Sequence, residues 1–123
     1  MKLHADRLPP LNTVTAYGEG YVEINRERHQ APLRLMPEGS VERWEVGGFD
    51  ELSAEDIAAL LELGPELVLI GTGEQQRFLH PSLTAPLARA HVGFETMTSH
   101  AACRTYNILM SEGRRALLAL LPG

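Results

Sequence analysis

The chain reads as a three-layer α/β fold: a mixed, mostly parallel central sheet with helices on both faces and an N-terminal antiparallel β meander. Three features of the sequence predict it. Leu67-Val68-Leu69-Ile70 and residues 116–121 are continuously apolar, as strands covered on both faces must be. Stretches of helical spacing separate those runs, which implies crossovers between parallel strands. The first third instead alternates in period two between turn residues, the pattern of hairpins.

Taken in order, residues up to about Asn12 carry Pro9-Pro10 and read as an extended lead-in. Thr13-Val14-Thr15-Ala16-Tyr17 is strand-like, and Gly18-Glu19-Gly20 turns the chain. In Tyr21-Val22-Glu23-Ile24, Val22 and Ile24 share one face and Tyr21 and Glu23 the other. A polar turn at residues 25–28 leads into residues 29–36, where Pro32 predicts an edge strand. After Pro37-Glu38-Gly39-Ser40, residues 41–46 alternate apolar and charged, as in a strand with one solvated face. Ser53 is placed to cap a helix with acids in its first turn, ended by Gly64-Pro65. Thr84-Ala85-Pro86-Leu87 suits a short helix with Pro86 in its first turn. Residues 92–97 form a strand, Thr98 or Ser99 caps a helix to about Met110, and Glu112-Gly113 stops it.

At 123 residues the chain predicts a single domain, 1–123, with no internal repeat or linker. Hydrophobic residues at 44% and charged residues at 22% are the proportions of a soluble globular protein. The apolar runs fall far short of a membrane span, so no membrane insertion is expected. A formal charge of −5, with no Lys/Arg stripe, excludes nucleic acid as an expected partner. The start Met1-Lys2-Leu3-His4-Ala5-Asp6 carries no signal or targeting pattern, and one cysteine excludes an internal disulfide. The expected compartment is therefore cytoplasmic.

Three constellations carry chemistry. Gly71-Thr72-Gly73 directly follows an apolar strand, where glycine backbones can turn N–H groups toward an anion. It is not a dinucleotide fingerprint, because Gln76 stands where the third glycine would be, and it lacks a P-loop lysine. The simpler account is a strand-end turn requiring positive φ. Second, the helix start at Thr98-Ser99-His100 offers free N–H groups and a favourable dipole. If the two preceding strands are parallel neighbours, loop and helix start open on one sheet edge. Gln75, Gln76, Arg77 and Arg104 would then be side-chain donors for a small anionic ligand, unless Arg104 pairs with Glu74 or Glu95 in ordinary surface fashion. Third, His100, Cys103, Arg104 and Asn107 share one helix face, the outline of a Cys/His nucleophilic site. Alanine-flanked cysteines are more commonly small core residues, and catalytic dyads usually draw on separate elements.

No catalytic residue is therefore assigned. The scattered histidines His4, His29, His80, His91 and His100 lack metal-ligand spacing, and no cofactor-binding set is present. Trp44 and Phe49 read as core or interface anchors.

Residues 66–73, then Gly93-Phe94-Glu95-Thr96-Met97, residues 101–109 and Glu112-Gly113-Arg114 carry a resemblance. The chain resembles the small α/β domain family of unknown function that includes the adipogenesis-associated domain protein and mitochondrial complex I assembly factor 3. The resemblance implies the three-layer fold and no agreed catalytic residues. It also implies a non-enzymatic protein-interaction or complex-assembly module with a protein partner, and the start of the sequence sets the expectation that the presequence of the mitochondrial branch is lacking. A ligand-binding domain built on Gly71, Thr72, Gly73, Thr98, Ser99, His100, Cys103, Arg104 and Asn107 is the alternative, and a Cys/His enzyme the third. Residues 29–36 as an open edge, with Trp44 near it, would permit a homo-oligomer.

Overall fold

The computed structural model describes residues 10–122, so most of the lead-in and the N-terminal hexapeptide read for targeting lie outside the described residues. The meander is present. Strands β1 (Val14–Gly18), β2 (Tyr21–Ile24) and β3 (Glu27–His29) form an antiparallel sheet in the order β1-β2-β3. Val22 and Ile24 are buried, as the alternation predicts. The β2–β3 turn is tighter than the polar stretch suggested: only Asn25 and Arg26 lie outside the strands, both at positive φ, the backbone a two-residue hairpin requires.

β4 (Leu33–Leu35), β5 (Glu42–Arg43), β6 (Leu67–Gly71), β7 (Gly93–Met97) and β8 (Ala116–Leu120) make a second sheet, in the order β5-β4-β8-β6-β7. The β6–β7 and β6–β8 pairings are parallel over the full strand lengths, while the pairings of β4 with β5 and β8 are shorter and antiparallel. Every residue of β8 is buried because this strand is central and covered on both faces.

Two expectations change here. Residues 29–36 are not one edge strand: the run breaks at Pro32, and β4 lies inside the sheet between β5 and β8. Pro32 precedes β4, so its missing N–H interrupts no ladder, and its carbonyl accepts from the Trp44 backbone N–H at 3.2 Å. The strand foreseen at 41–46 shrinks to Glu42–Arg43, with Arg34 and Glu42 paired across strands at 3.1 Å. Trp44, only 3% exposed, turns into the core instead of marking an open edge.

Helix α1 (Ala54–Ala58), prolonged by a 3₁₀ segment (Ala59–Leu63), is held by a reciprocal cap. The Ser53 N–H donates to Asp56 and the Asp56 N–H to the Ser53 hydroxyl. Gly64 closes the segment in the left-handed conformation, φ 69°. Helix α2 (Pro81–Arg89) starts earlier than read from sequence. His80 caps it and Pro81 opens it, so Pro86 sits inside the helix, without the N–H that would have met the Ser82 carbonyl. Helix α3 (Ser99–Ser111) is capped by Thr98.

The β8 alternation sorts the core into two layers. Leu117, Ala119 and Leu121 face Ile57, Leu60 and Leu87 of the α1/α2 side, together with Val68, Ile70 and Trp44. Ala116, Leu118 and Leu120 face Ala102, Cys103, Tyr106 and Met110 of α3, with Val22 and Ile24 of the meander. Each fully buried Leu or Ile contributes about 1.5–3 kcal/mol relative to exposure, so both faces of the sheet are required.

The tightest backbone approach is at Gly71. A Cβ there would lie 2.6 Å from Leu120 Cδ2 and 2.9 Å from Ser99 Cα, whereas one on Gly93 would meet nothing within 4 Å. Gly71→Ala should cost about 1–3 kcal/mol in urea unfolding, the usual range for overpacking. Gly93→Ala should stay within about 0.5 kcal/mol of wild type.

Candidate functional site

β6 and β7 are parallel neighbours, so the Gly71-Thr72-Gly73 loop and the α3 start do meet at the carboxyl end of the sheet. They meet by bonding to each other. The Gly73 N–H donates to the Ser99 hydroxyl at 2.9 Å, and the Ser99 N–H donates to the Gly73 carbonyl at 2.9 Å. Thr98 Oγ1 accepts from the Ala101 N–H, and the Thr72 N–H donates to the Met97 carbonyl. Gly73 has φ 93°, the strand-end geometry that favours glycine. Donors that could have faced an anion therefore hold the fold together.

The flanking residues divide between two concavities. Thr72 lies in a cleft of about 350 Å³ walled by Glu74, Gln75 and Arg77 on one side and by Phe49, Asp50 and Glu51 on the other. Phe49, Asp50 and Glu51 form a short 3₁₀ turn before α1. The Thr72 hydroxyl accepts from the Arg77 N–H at 3.1 Å and stands 2.6 Å from the Gln75 carbonyl, which fixes the loop. The Arg77 guanidinium carbon lies 4.8 Å from the Phe49 ring centroid, with Nη1 4.0 Å from Asp50. Three carboxylates against one guanidinium give this cleft an acidic character, opposite to an anion cradle. Gln76 is turned away to β7, where its Nε2 donates to the Thr96 carbonyl at 3.1 Å.

His100, Cys103, Arg104 and Asn107 do share one face of α3, and with β1 they line a groove of about 150 Å³. Their roles differ. The imidazole of His100 stacks on Tyr17, centroids 5.6 Å apart and planes 3° from parallel. Asn107 bonds both backbone groups of Val14: its oxygen accepts from the N–H at 3.0 Å and its amide donates to the carbonyl at 2.8 Å. One residue earlier, the buried Tyr106 hydroxyl donates to the Asn12 carbonyl at 2.7 Å. Arg104 is exposed, and neither Glu74 nor Glu95 pairs with it.

Cys103 is buried in the core between α3 and the sheets, and burial pushes its thiol up to about 12. At neutral pH it is a protonated, desolvated thiol, unlike an activated nucleophile. Among the described residues, no group of three or more His, Cys, Asp or Glu converges as metal ligands.

Sequence reasoning missed the Asn107–Val14 clamp, the Tyr106–Asn12 bond and the joining of Phe49 to Arg77. An isolated Asn or Tyr on a helix gives no sign of a partner some 90 residues earlier in the chain. The Tyr21-Arg28 stack, at 3.8 Å, was equally hidden.

The fold and this site define a class: a small α/β domain whose third helix clamps an N-terminal β meander onto a mixed sheet. The chain belongs to the family described as "Protein of unknown function (DUF498/DUF598)", whose model matches residues 14–121. It is similar to a crystallised Bordetella parapertussis protein, at 46% identity and TM-score 0.88 over 94% of this chain and 98% of the other. It is also similar to a Bordetella pertussis protein described as a Mth938-like domain, at 42% identity and TM-score 0.78 over 99% and 92% of the two chains. Bovine NADH dehydrogenase (ubiquinone) 1 alpha subcomplex assembly factor 3 is 30% identical over 111 residues, 89% of this chain and 60% of that protein. The chain thus spans less than two thirds of the length of that relative. The resemblance to complex I assembly factor 3 read from the sequence holds, as does the three-layer fold it implied. No helix among the described residues is long and apolar enough to cross a membrane.

The buried thiol makes alkaline stability a direct readout. With the folded value near 12 and the ordinary value at 9.0, the unfolded chain loses this proton first as pH rises. Stability is then full below about pH 9 and falls as pH climbs toward 12. Burial also raises the Tyr106 phenol and adds to the fall above about pH 10. Urea midpoints from about pH 7 to about pH 10.5 should decline in wild type and decline distinctly less in Cys103→Ala.

Proposed function

We propose that this chain is a non-enzymatic protein-interaction module that helps assemble a larger complex, acting as one domain in the cytoplasm. The observation that carries the reading is how the most reactive-looking helix face is employed. Cys103 is a buried neutral thiol, and Asn107 is engaged at both its amide oxygen and its amide nitrogen by the Val14 backbone. What could have been a nucleophile and its orienting amide instead secure the meander. A relative named as an assembly factor of NADH dehydrogenase supports a protein partner, and assembly of a respiratory-type complex is part of the proposal. A single buried cysteine suits a reducing compartment.

A second reading draws on the groove between α3 and β1. Exposed His100 and Arg104 there would hold a small anionic ligand, with Gly71, Thr72, Gly73, Thr98 and Ser99 forming the support behind them.

Affinity capture from native lysate, with soluble and membrane fractions kept apart, separates the two. Wild type and a His100→Ala/Cys103→Ala variant should retain the same protein partner, identified by mass spectrometry as a subunit or assembly component of a larger complex. Absence of any such partner from both, together with a small molecule lost only in the variant, would contradict the module and favour the groove.

A further inference from the structure

We propose that the acidic cleft at the carboxyl end of the sheet, together with exposed Phe78 next to Arg77 in the chain, docks a basic segment of a partner protein. The occupant carries Arg or Lys side chains for the carboxylates and an aliphatic or aromatic side chain for Phe78. This rests on the interaction-module reading and names the surface and the chemistry of the partner.

Three observations converge. The concavity is large enough for an arginine or lysine side chain and is walled mainly by charged and polar groups, with Phe49 as its aromatic element. Its charge is unbalanced: Asp50, Glu51 and Glu74 stand against Arg77 alone. That guanidinium is already engaged by the Phe49 ring and, at 4.0 Å, by Asp50. Among the described residues, Glu51 and Glu74 have no cationic partner. The third observation is independent of charge. Phe78 is 79% exposed on the same loop that supplies Glu74 and Arg77, the largest apolar exposure among the described residues. Isolated exposed apolar residues are ordinary, but an exposed aromatic residue that follows a cleft-lining arginine in the chain suits an interface anchor with a polar rim.

The interior chemistry shows what fits. Arg77 over Phe49 demonstrates that a guanidinium is accommodated on this aromatic wall, and planar cations stack there while carboxylates accept their N–H groups. An incoming Arg would take the carboxylates that Arg77 does not neutralise. A nucleic acid or acidic peptide would meet the wrong sign of charge.

The test is an NMR titration of the isotopically labelled chain with an acetylated, amidated Arg-Leu-Arg-Leu-Arg peptide, with Asp-Leu-Asp-Leu-Asp as control and magnesium chloride as a separate arm. The expected result is amide shifts clustered at residues 49–51 and 74–78 with the basic peptide alone. The apparent Kd should weaken about tenfold between about 20 and about 300 mM salt. Glu51→Gln/Glu74→Gln should weaken it about fivefold or more and Phe78→Ser about threefold or more, both variants keeping the wild-type spectrum elsewhere. Shifts scattered over the surface, equal binding by the variants, or a response to magnesium at these residues without one to the peptide would each overturn the proposal. Loss of the surface leaves the module standing if a partner captured from lysate is retained equally by Glu51→Gln/Glu74→Gln. Absence of any captured partner would count against the module itself.

Discussion

The approach of the α3 N-terminus to the end of β6 sets the position of nearly everything that follows. Gly71 leaves no Cβ between Leu120 and Ser99, and Ser99 then exchanges two hydrogen bonds with Gly73. A helix fixed at its first residue in this way has its direction fixed as well. Two turns later Tyr106 and Asn107 arrive opposite Asn12 and Val14, and the meander is held where it buries Val22 and Ile24. Glycine here is a packing requirement, and its φ freedom matters two residues later, at Gly73.

That arrangement redistributes the roles of the polar residues. Backbone N–H groups at a loop and a helix start are commonly free for an anion, but here Gly73 and Ser99 satisfy each other. A Cys/His/Asn face on a helix resembles a nucleophilic site, but here the Cys is core, the His stacks on Tyr17 and the Asn substitutes for a β-strand partner of Val14. The uncommitted charge lies elsewhere, around the cleft between Phe49 and Arg77. A domain whose chemistry is spent on its own architecture is suited to act through its surface.

Much of the fold was legible because its signals are local. Continuous apolarity in β6 and β8 marked strands covered on both faces, Ser53 and Thr98 marked helix starts, and Val22/Ile24 alternation marked a buried hairpin face. Pro32 misled because a proline penalises a strand only where its N–H is needed, and β4 begins one residue after it. Residues 41–46 alternate as a strand does, yet burial of Trp44 ends the ladder after Arg43. Helix α2 was under-read because His80 is an unusual cap and Pro86 suggested a first turn. At the site, periodicity put His100, Cys103, Arg104 and Asn107 on one face, but what that face meets depends on a contact with residues 12–17. No local pattern encodes such a contact.

The central claim is that α3 polar residues serve to clamp the meander. Native-state amide hydrogen exchange on wild type and Asn107→Ala tests it most directly. Loss of two hydrogen bonds worth about 0.5–1.5 kcal/mol each should speed exchange in β1 and β2 by about 5–150-fold, with β6 and β8 changed far less. Unchanged protection of β1 and β2 in the variant would contradict the account.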